Sequence, residues 1–252
     1  MTVTFLAHSG FLVEWDRFYT LFDWWKGELP GLESAKPLLV FASHAHSDHF
    51  EPHIFGLPER HTDTRFILSN DIRLTQQRRE RLGIGEDVFS RVSFARPNSL
   101  LELDAAGETL RVRTFKSTDA GVAFLLCAGG KLVYHGGDLN WWDWEEDEKQ
   151  YRNNMAANYR RSVAALADAV REEASLHGCE GVVDAAMAPL DPRLEGSCGL
   201  GVEYLLANVP VRRLFPMHMW ENYDITERYC REHPADAEKL VRIGREGESF
   251  TV

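Results

Sequence analysis

The residues best suited to chemistry are concentrated in the run His44-Ala45-His46-Ser47-Asp48-His49. Imidazole nitrogens and carboxylate oxygens are ligands of zinc, and they also suit manganese and iron. Such groups would be costly to leave unpaired beside a core strand, and sharing them between two cations removes that cost. The spacing lets His44 and His46 face one ion while Asp48 and His49 turn toward another. We predict a site for one or two divalent ions, zinc first, with a solvated polar loop as the alternative.

The segments before these groups must hold them in place. Pro37-Leu38-Leu39-Val40-Phe41 is a short apolar run, typical of a buried strand, and it leads directly into the histidine-rich segment. Other predicted strands also end at a polar residue of chemical interest, namely Ser117, Asp138, Asp191 and His218. Rigid strands fix positions and the loops after them give access, so we expect the site where these strands end.

The order of the predicted elements indicates a layered α/β protein. Apolar periodicity predicts strands over 2–6, 11–15, 19–22, 37–41, 65–68, 109–115, 122–127, 131–135, 181–187, 213–215 and 240–243. It predicts helices over 71–81, 145–175, 199–208 and 225–233. Strands come first and then alternate with helices, so we expect helices that cover sheets. Polar stretches are short, which favours a single domain over residues 1–252.

Composition narrows the classes of partner. A formal net charge of -11 disfavours binding to nucleic acid, and no apolar run approaches the length of a membrane span. The four cysteines contain no C-x-x-C pair and are predicted to be free thiols. Met1 is followed at once by a strand-like stretch, so no signal peptide is predicted. We therefore expect a cytoplasmic protein that acts on a small-molecule substrate.

The His-x-His-x-Asp-His run after an apolar strand resembles the signature of the metallo-β-lactamase superfamily of hydrolases. The resemblance implies a four-layer αβ/βα sandwich with the metals at one edge. It also implies that Asp138, in Gly136-Gly137-Asp138, bridges two metals and that His218 is the last histidine ligand. Taken alone, Asp138 could be a turn residue and His218 a core histidine. The predicted ligands are His44, His46, Asp48, His49, Asp138 and His218.

The sequence departs from this family at one ligand. Most relatives carry a third histidine before the hairpin, and the aligned position here is Ser117. Serine is a poor zinc ligand, and Asp119 is close enough in sequence to take its place. Of the two metal sites that the resemblance implies, the second keeps its expected ligands, namely Asp48, His49, Asp138 and His218. The first has only His44 and His46 as secured ligands. We therefore expect one metal to bind tightly and the other weakly.

Several outlying residues are further candidates. His8, in His8-Ser9-Gly10, lies near the metals in the family branch that opens with this motif, although a plain hairpin turn fits equally well. Asp23 either orients a ligand or caps a turn. Asp191 ends a strand on the side of the site, and Arg193 after it fits a substrate anion or a structural salt bridge. Trp141 and Trp142 follow Asp138 and either wall a pocket or pack a helix.

These residues predict metal-dependent hydrolysis. A bound divalent metal supplies hydroxide at neutral pH for attack on an ester, lactone, amide or phosphoester. Asp48 and Asp138 are the expected catalytic residues. The sequence contains no Gly-x-Ser-x-Gly elbow, so a nucleophilic side chain is not expected. Two alternatives stay open, namely iron-based redox chemistry and a catalytically impaired metal-binding sensor or scaffold.

Overall fold

The computed structural model describes residues 1–252 and contains two β-sheets. The first sheet has seven strands in the order β13-β1-β2-β3-β4-β5-β6 and the second has six in the order β12-β11-β10-β9-β8-β7. The first sheet comprises β1 (Thr2–Ala7), β2 (Gly10–Glu14), β3 (Tyr19–Phe22), β4 (Leu38–Ala42), β5 (Thr64–Ser69), β6 (Val92–Ala95) and β13 (Ser249–Thr251). The second comprises β7 (Leu100–Ala105), β8 (Glu108–Lys116), β9 (Val122–Ala128), β10 (Lys131–His135), β11 (Val183–Pro189) and β12 (Val211–Met217).

Helices cover the outer faces of the two sheets. They are α1 (Gln76–Leu82), α2 (Glu86–Phe89), α3 (Lys149–His177), α4 (Leu200–Asn208) and α5 (Asp224–Glu232), with 3-10 helices at Pro52–Glu59 and Pro192–Ser197. The inner faces of the sheets meet in one core, where the rings of Phe41 and Phe124 lie 5.3 Å apart. The predicted four-layer α/β sandwich is confirmed as the fold.

Strand β4 shows how the sequence pattern creates these layers. All five of its residues are buried, because both faces of the sheet are covered. Leu39 and Phe41 join the core between the sheets, whereas Leu38, Val40 and Ala42 join the separate core under the 3-10 helix Pro52–Glu59. This two-sided burial fixes the register of β4 and therefore the start of the His44–His49 segment that follows it.

The structure corrects several predicted elements. The strand predicted over 240–243 is wrong, because Leu240 forms only an isolated bridge to Leu214. The helix predicted over 71–81 begins at Gln76, since the side chain of Thr75 caps it by accepting a hydrogen bond from the Arg78 amide. Strands β6, β7 and β13 were not predicted, because each is short or half-exposed and lacks a strong apolar signal. No helix has the length and apolar character needed to cross a bilayer.

A buried acidic residue ties α3 to the second sheet. Glu173 is 1% exposed and accepts hydrogen bonds from Arg111 Nε at 3.0 Å and Arg113 Nε at 2.5 Å. Burial alone would raise the pKa of Glu173, but the two arginines outweigh it and lower that pKa below its ordinary value of 4.5. The stabilisation is therefore present above pH 4.5 and is lost as the pH falls through the lowered pKa of the folded protein.

We expect Glu173→Gln to lower the free energy of unfolding at pH 7 by about 2 kcal/mol, because the arginines lose their buried counter-charge. Urea denaturation at pH 7 and at pH 3 measures this, and the difference from the parent should shrink at the lower pH. Glu172→Gln is the matched control, since Glu172 is 49% exposed and pairs with Arg113 at the surface. Equal losses in the two variants would contradict the expectation.

Candidate metal centre

The predicted ligands meet at one edge of the sandwich, where strands of both sheets end. The His44–His49 segment follows β4 of the first sheet, and His8 lies in the turn between β1 and β2. Asp138 follows β10 and His218 follows β12, both in the second sheet. The site is therefore assembled across the interface between the two sheets.

The side chains form two groups of candidate ligands. His44, His46 and Asp138 form the first group, which we call donor group one. His8, Asp48, His49 and His218 form the second, donor group two. Within each group the ligand atoms all lie within 4.8 Å of one another.

The Asp138 carboxylate connects the two groups. Its Oδ2 lies 3.2 Å from His44 Nε2 in donor group one. Its Oδ1 lies 3.0 Å from His49 Nε2 and 2.8 Å from His218 Nε2 in donor group two. One carboxylate thus presents one oxygen to each group, which is the arrangement a bridging ligand requires.

The donors fit divalent cations. The Nε2 atoms of His49 and His218 face each other at 2.9 Å, so a shared proton or a cation must lie between their lone pairs. His8 Nε2, His44 Nε2 and Asp138 Oδ1 are buried, and despite the short distances to their neighbours none of them makes a well-aligned hydrogen bond within the protein. Neighbouring donors lie 2.8 to 3.4 Å apart, close to the roughly 3.3 Å between ligands of one tetrahedral zinc ion.

The charges of the centre are strongly coupled. Burial alone would lower the pKa of His49, but the Asp138 and Asp23 carboxylates raise it to about 10. Burial alone would raise the pKa of Asp138, yet His49 and His218 hold it well below its usual range. In the metal-free protein the pair His49 and His218, with one proton between its two Nε2 atoms, therefore carries positive charge that balances the carboxylates.

Asp23 holds the start of the metal-binding segment. Its fully buried carboxylate accepts hydrogen bonds from the Ser43 amide at 2.7 Å and the Ser43 hydroxyl at 2.6 Å. Its Oδ2 also lies 2.7 Å from His49 Nδ1. The other ring nitrogen of His49, Nε2, therefore faces His218 and Asp138. Of the two roles considered for Asp23, the geometry corresponds to orienting a ligand.

Asp191 lies behind His218 on the second sheet, at a distance longer than a hydrogen bond. Its buried Oδ2 lies 3.6 Å from His218 Nδ1 and accepts a hydrogen bond from Trp220 Nε1 at 3.1 Å. Arg193 closes the arrangement with a bidentate contact to the same carboxylate. Each sheet therefore supplies one buried carboxylate behind one histidine.

The backbone at these positions is constrained. His8, Asp23 and His218 adopt left-handed φ values of 52°, 43° and 62°, which cost about 1–2 kcal/mol for residues other than glycine. Gly121 is needed for close approach, because an added Cβ would overlap the Ser43 carbonyl oxygen and lie 2.6 Å from His44 Cβ. The surrounding fold therefore holds the site residues in conformations that they would not adopt freely.

Ser117 and Asp119 have different positions relative to donor group one. The Ser117 hydroxyl accepts a hydrogen bond from the Asp119 amide at 3.2 Å and so shapes the turn. The Asp119 carboxylate lies 3.8 Å from His46 Nδ1 and lines the pocket in front of the donors. The side chains of His46 and Asp119 are both more than half exposed, so both are free to adjust.

The pocket in front of the donor groups has a volume of about 280 Å³. We call it the site pocket; it is lined by His46, Asp48, Asp119, Asp138, Trp142, Trp144, Tyr151, Met155, Arg193, His218 and Trp220. Of the two roles considered for Trp142, the structure shows the pocket wall, and its ring lies 5.8 Å from that of His218. Trp141 does not line it, because its ring packs against Tyr159 and Tyr204 beneath α3.

Sequence reasoning missed part of this wall. Tyr151 and Met155 lie on α3, nearly one turn apart, and their spacing alone does not separate a pocket wall from a core contact. Trp220 also lines the pocket, and its ring lies 4.5 Å from that of His8. Its position two residues after His218 was the one available signal.

Comparisons with solved structures agree with this architecture. A metallo hydrolase from the archaeon Ignicoccus hospitalis matches 100% of this chain and 98% of its own, at 18% identity and a TM-score of 0.59. An isothiocyanate hydrolase from Delia radicum gut bacteria matches 100% of this chain and 99% of its own, at 11% identity and a TM-score of 0.50. At these identities the likeness establishes the fold alone.

A larger protein shares the fold as well. CmlA, a diiron β-hydroxylase from Streptomyces venezuelae, matches 100% of this chain at 10% identity and a TM-score of 0.63. This chain spans 54% of the length of CmlA. No protein-family model matches the sequence, and no curated protein matches it.

Proposed function

We propose that this chain is a metal-dependent hydrolase that cleaves a small-molecule ester, lactone, amide or phosphoester bond. The observation that carries the proposal is the Asp138 carboxylate, which joins two donor groups at the floor of an open pocket. The fold shared with structures named as a metallo hydrolase and as an isothiocyanate hydrolase supports it. Zinc is the first candidate metal, because nitrogen and carboxylate donors suit it.

The residues have separate roles in this proposal. His44, His46 and Asp138 would hold one cation, and His8, Asp48, His49 and His218 would hold a second together with Asp138. A bound divalent cation lowers the pKa of water and polarises the oxygen of the scissile group. His8 is an additional donor here, because its Nε2 lies 3.4 Å from Asp48 Oδ2 and has no other partner.

Asp48 is the residue best placed to move a proton. Its side chain is 29% exposed and lines the site pocket, whereas Asp138 is more deeply buried between the two donor groups. Burial alone would raise the pKa of Asp48, but His8 and His49 outweigh it and keep the carboxyl group ionised at neutral pH. The ionised carboxylate could accept a proton from a water whose own pKa a bound cation lowers, and return it to the leaving group.

The walls of the site pocket position the substrate and limit water. Trp142 donates its indole N–H to the Asp138 carbonyl at 2.9 Å, so its ring is fixed against the donor groups. Trp144 stacks parallel to Trp142, with ring centroids 6.2 Å apart. Rigid aromatic walls favour a substrate with an apolar portion next to the bond that is cleaved.

The proposal is tested by metal analysis followed by activity screening. Protein purified without oxygen is analysed for metals, stripped with a chelator, and reloaded separately with zinc, manganese and iron. Turnover is then measured on a panel of esters, lactones, amides and phosphodiesters. We expect turnover on one class, lost on stripping and restored by metal. Protein that holds metal but turns over no class would support the sensor or scaffold alternative.

A second candidate is oxidation at a pair of iron ions. The Asp119 carboxylate lies near His46, in the turn where Ser117 occupies the position of the histidine that the family resemblance implies. It would make donor group one richer in oxygen, which suits iron. The fold shared with the diiron β-hydroxylase CmlA is consistent with this candidate. Iron in the anaerobically purified protein, together with oxygen consumption and no hydrolysis, would favour oxidation over hydrolysis.

We expect Asp119→Ala to lower the occupancy of the metal held by donor group one, because this change leaves His44, His46 and Asp138 as its only protein ligands. The loss should be about one ion per chain when excess metal is removed by gel filtration, counted by elemental analysis. Ser117→Ala is the control, since the one hydrogen bond of the Ser117 hydroxyl is to the Asp119 amide. Ser117→His should raise occupancy if it supplies the missing imidazole. Unchanged stoichiometry in Asp119→Ala would show that Asp119 is not a ligand.

A further inference from the structure

One wall of the site pocket carries a rigidly held positive charge. Arg193 is the only lysine or arginine among the residues that line the pocket. Its guanidinium carbon lies 4.3 Å from the ring centroid of Trp220 and 5.7 Å from that of Trp144. Contacts with aromatic faces restrict the planar guanidinium to one orientation.

Asp191 uses only part of this guanidinium. Arg193 Nε lies 2.9 Å and 3.1 Å from the two Asp191 oxygens, and Nη2 donates to Oδ2 at 2.6 Å. A guanidinium carries five N–H donors, so Nη1 and one hydrogen of Nη2 stay available. The Arg193 side chain is 49% exposed even though Asp191 beneath it is fully buried. About half of the side chain is therefore accessible, and Arg193 is one of the residues that line the site pocket.

The guanidinium is also close to the donor groups. The pKa of Arg193 is raised first by its hydrogen bond to Asp191 and further by the charges of Asp48 and Asp138. Arg193 and Asp48 line the same small pocket, so one ligand can reach both. Its remaining N–H groups are therefore available to a molecule bound in front of the donor groups.

We propose that Arg193 binds a carboxylate on the substrate, so that the site selects small molecules in which a flat apolar group carries an anion. This inference rests on the proposed hydrolase function. A guanidinium matches the planar geometry of a carboxylate, and the rings of Trp142, Trp144 and Trp220 form a surface for a flat group. The Asp191 contact fixes the guanidinium in advance, which reduces the entropy cost of binding.

Benzoate and benzamide test the proposal as probes of equal shape and different charge. Their binding to the metal-loaded protein is followed by tryptophan fluorescence, since Trp144 and Trp220 lie next to the guanidinium. We expect the parent to bind benzoate more tightly than benzamide. Arg193→Met and Arg193→Lys should weaken benzoate binding about 10- to 100-fold and change benzamide binding less than about twofold. The lysine variant keeps a cation and so guards against loss of folding in the methionine variant.

Arg212→Met is the matched control. Arg212 is 47% exposed and pairs with Glu180 at the surface, away from the pocket. The Arg212→Met variant should bind benzoate and benzamide as tightly as the parent does. Parent-like benzoate binding in both Arg193 variants would overturn the proposal, because the carboxylate would then contact the metal alone. Equal loss of both probes together with metal would also overturn it, since Arg193 would then serve only to hold Asp191.

The same variants separate this inference from the hydrolase proposal. Turnover is measured on 4-nitrophenyl butyrate and mono(4-nitrophenyl) succinate, which differ mainly in a terminal methyl against a carboxylate. The Arg193 variants should lower the ratio of kcat/KM for the succinate ester to kcat/KM for the butyrate ester about tenfold or more, whereas Arg212→Met should leave this ratio at its parent value. Absence of turnover with retained benzoate selectivity would contradict hydrolysis and leave the anion site standing.

Discussion

Asp138→Asn should lower kcat/KM by about 1000-fold or more, the loss of several kcal/mol of transition-state stabilisation. The amide keeps the shape of the carboxylate but removes the charge that His44, His49 and His218 share. Metal content should fall with activity, because both donor groups use this one side chain. Steady-state kinetics with elemental analysis of the same preparation measures both effects.

Asp143→Asn is the control for this change. Asp143 lies five residues further along the same segment, and its carboxylate is held by Arg152 and Ser197, away from the donor groups. It should keep the metal content and turnover of the parent. An Asp138→Asn protein with full metal content and more than about a tenth of the parent activity would contradict a shared role for Asp138.

The second large effect is expected at Asp23. Asp23→Ala should lower the free energy of unfolding of the metal-free protein by about 4 kcal/mol, because it leaves the Ser43 amide and His49 Nδ1 buried without a partner. It should also weaken metal binding about 10- to 100-fold, since His49 loses the group that orients it. Denaturation in chelator gives the first quantity and competition with a metal indicator gives the second.

Asp63→Ala is the matched control, because Asp63 is 57% exposed and pairs only with Arg65 at the surface. A change of less than about 0.5 kcal/mol is expected there. Asp23→Asn separates the two effects, since an amide can still occupy the cavity and accept one hydrogen bond. If Asp23→Ala unfolded like the parent, the carboxylate would not be what holds the segment after β4.

The sequence was most informative where local pattern and burial agree. Strand β4 is apolar at every position and runs directly into His44, so its position and the nature of the site were both predictable. Strand β7 was not, because its half-exposed residues alternate at a sheet edge and give a weak signal. The start of the helix at Gln76 was predicted wrongly, because the capping residue Thr75 sets it and the apolar periodicity does not reveal a cap.

The surroundings of the donor groups could be predicted only in part. Motif order and the family resemblance indicated which residues would converge, but the distances that put one Asp138 oxygen against each donor group depend on the packing of strands that are remote in the chain. The pocket wall combines Tyr151 from α3 with Trp220 from the segment after β12. Such a combination depends on how the layers pack, and no local pattern encodes it.

Assembly of the donor groups across two sheets has a consequence for the kinetics of the protein. His49 and His218 are separated by 169 positions in the chain, and Asp138 comes from the second sheet while Asp48 comes from the first. Contacts of such long range form late, because closing a long loop costs entropy before the contacts compensate for it. A cation that needs both sheets can bind fully only after they dock. Metal should therefore act mainly by slowing unfolding and leave the rate of refolding almost unchanged.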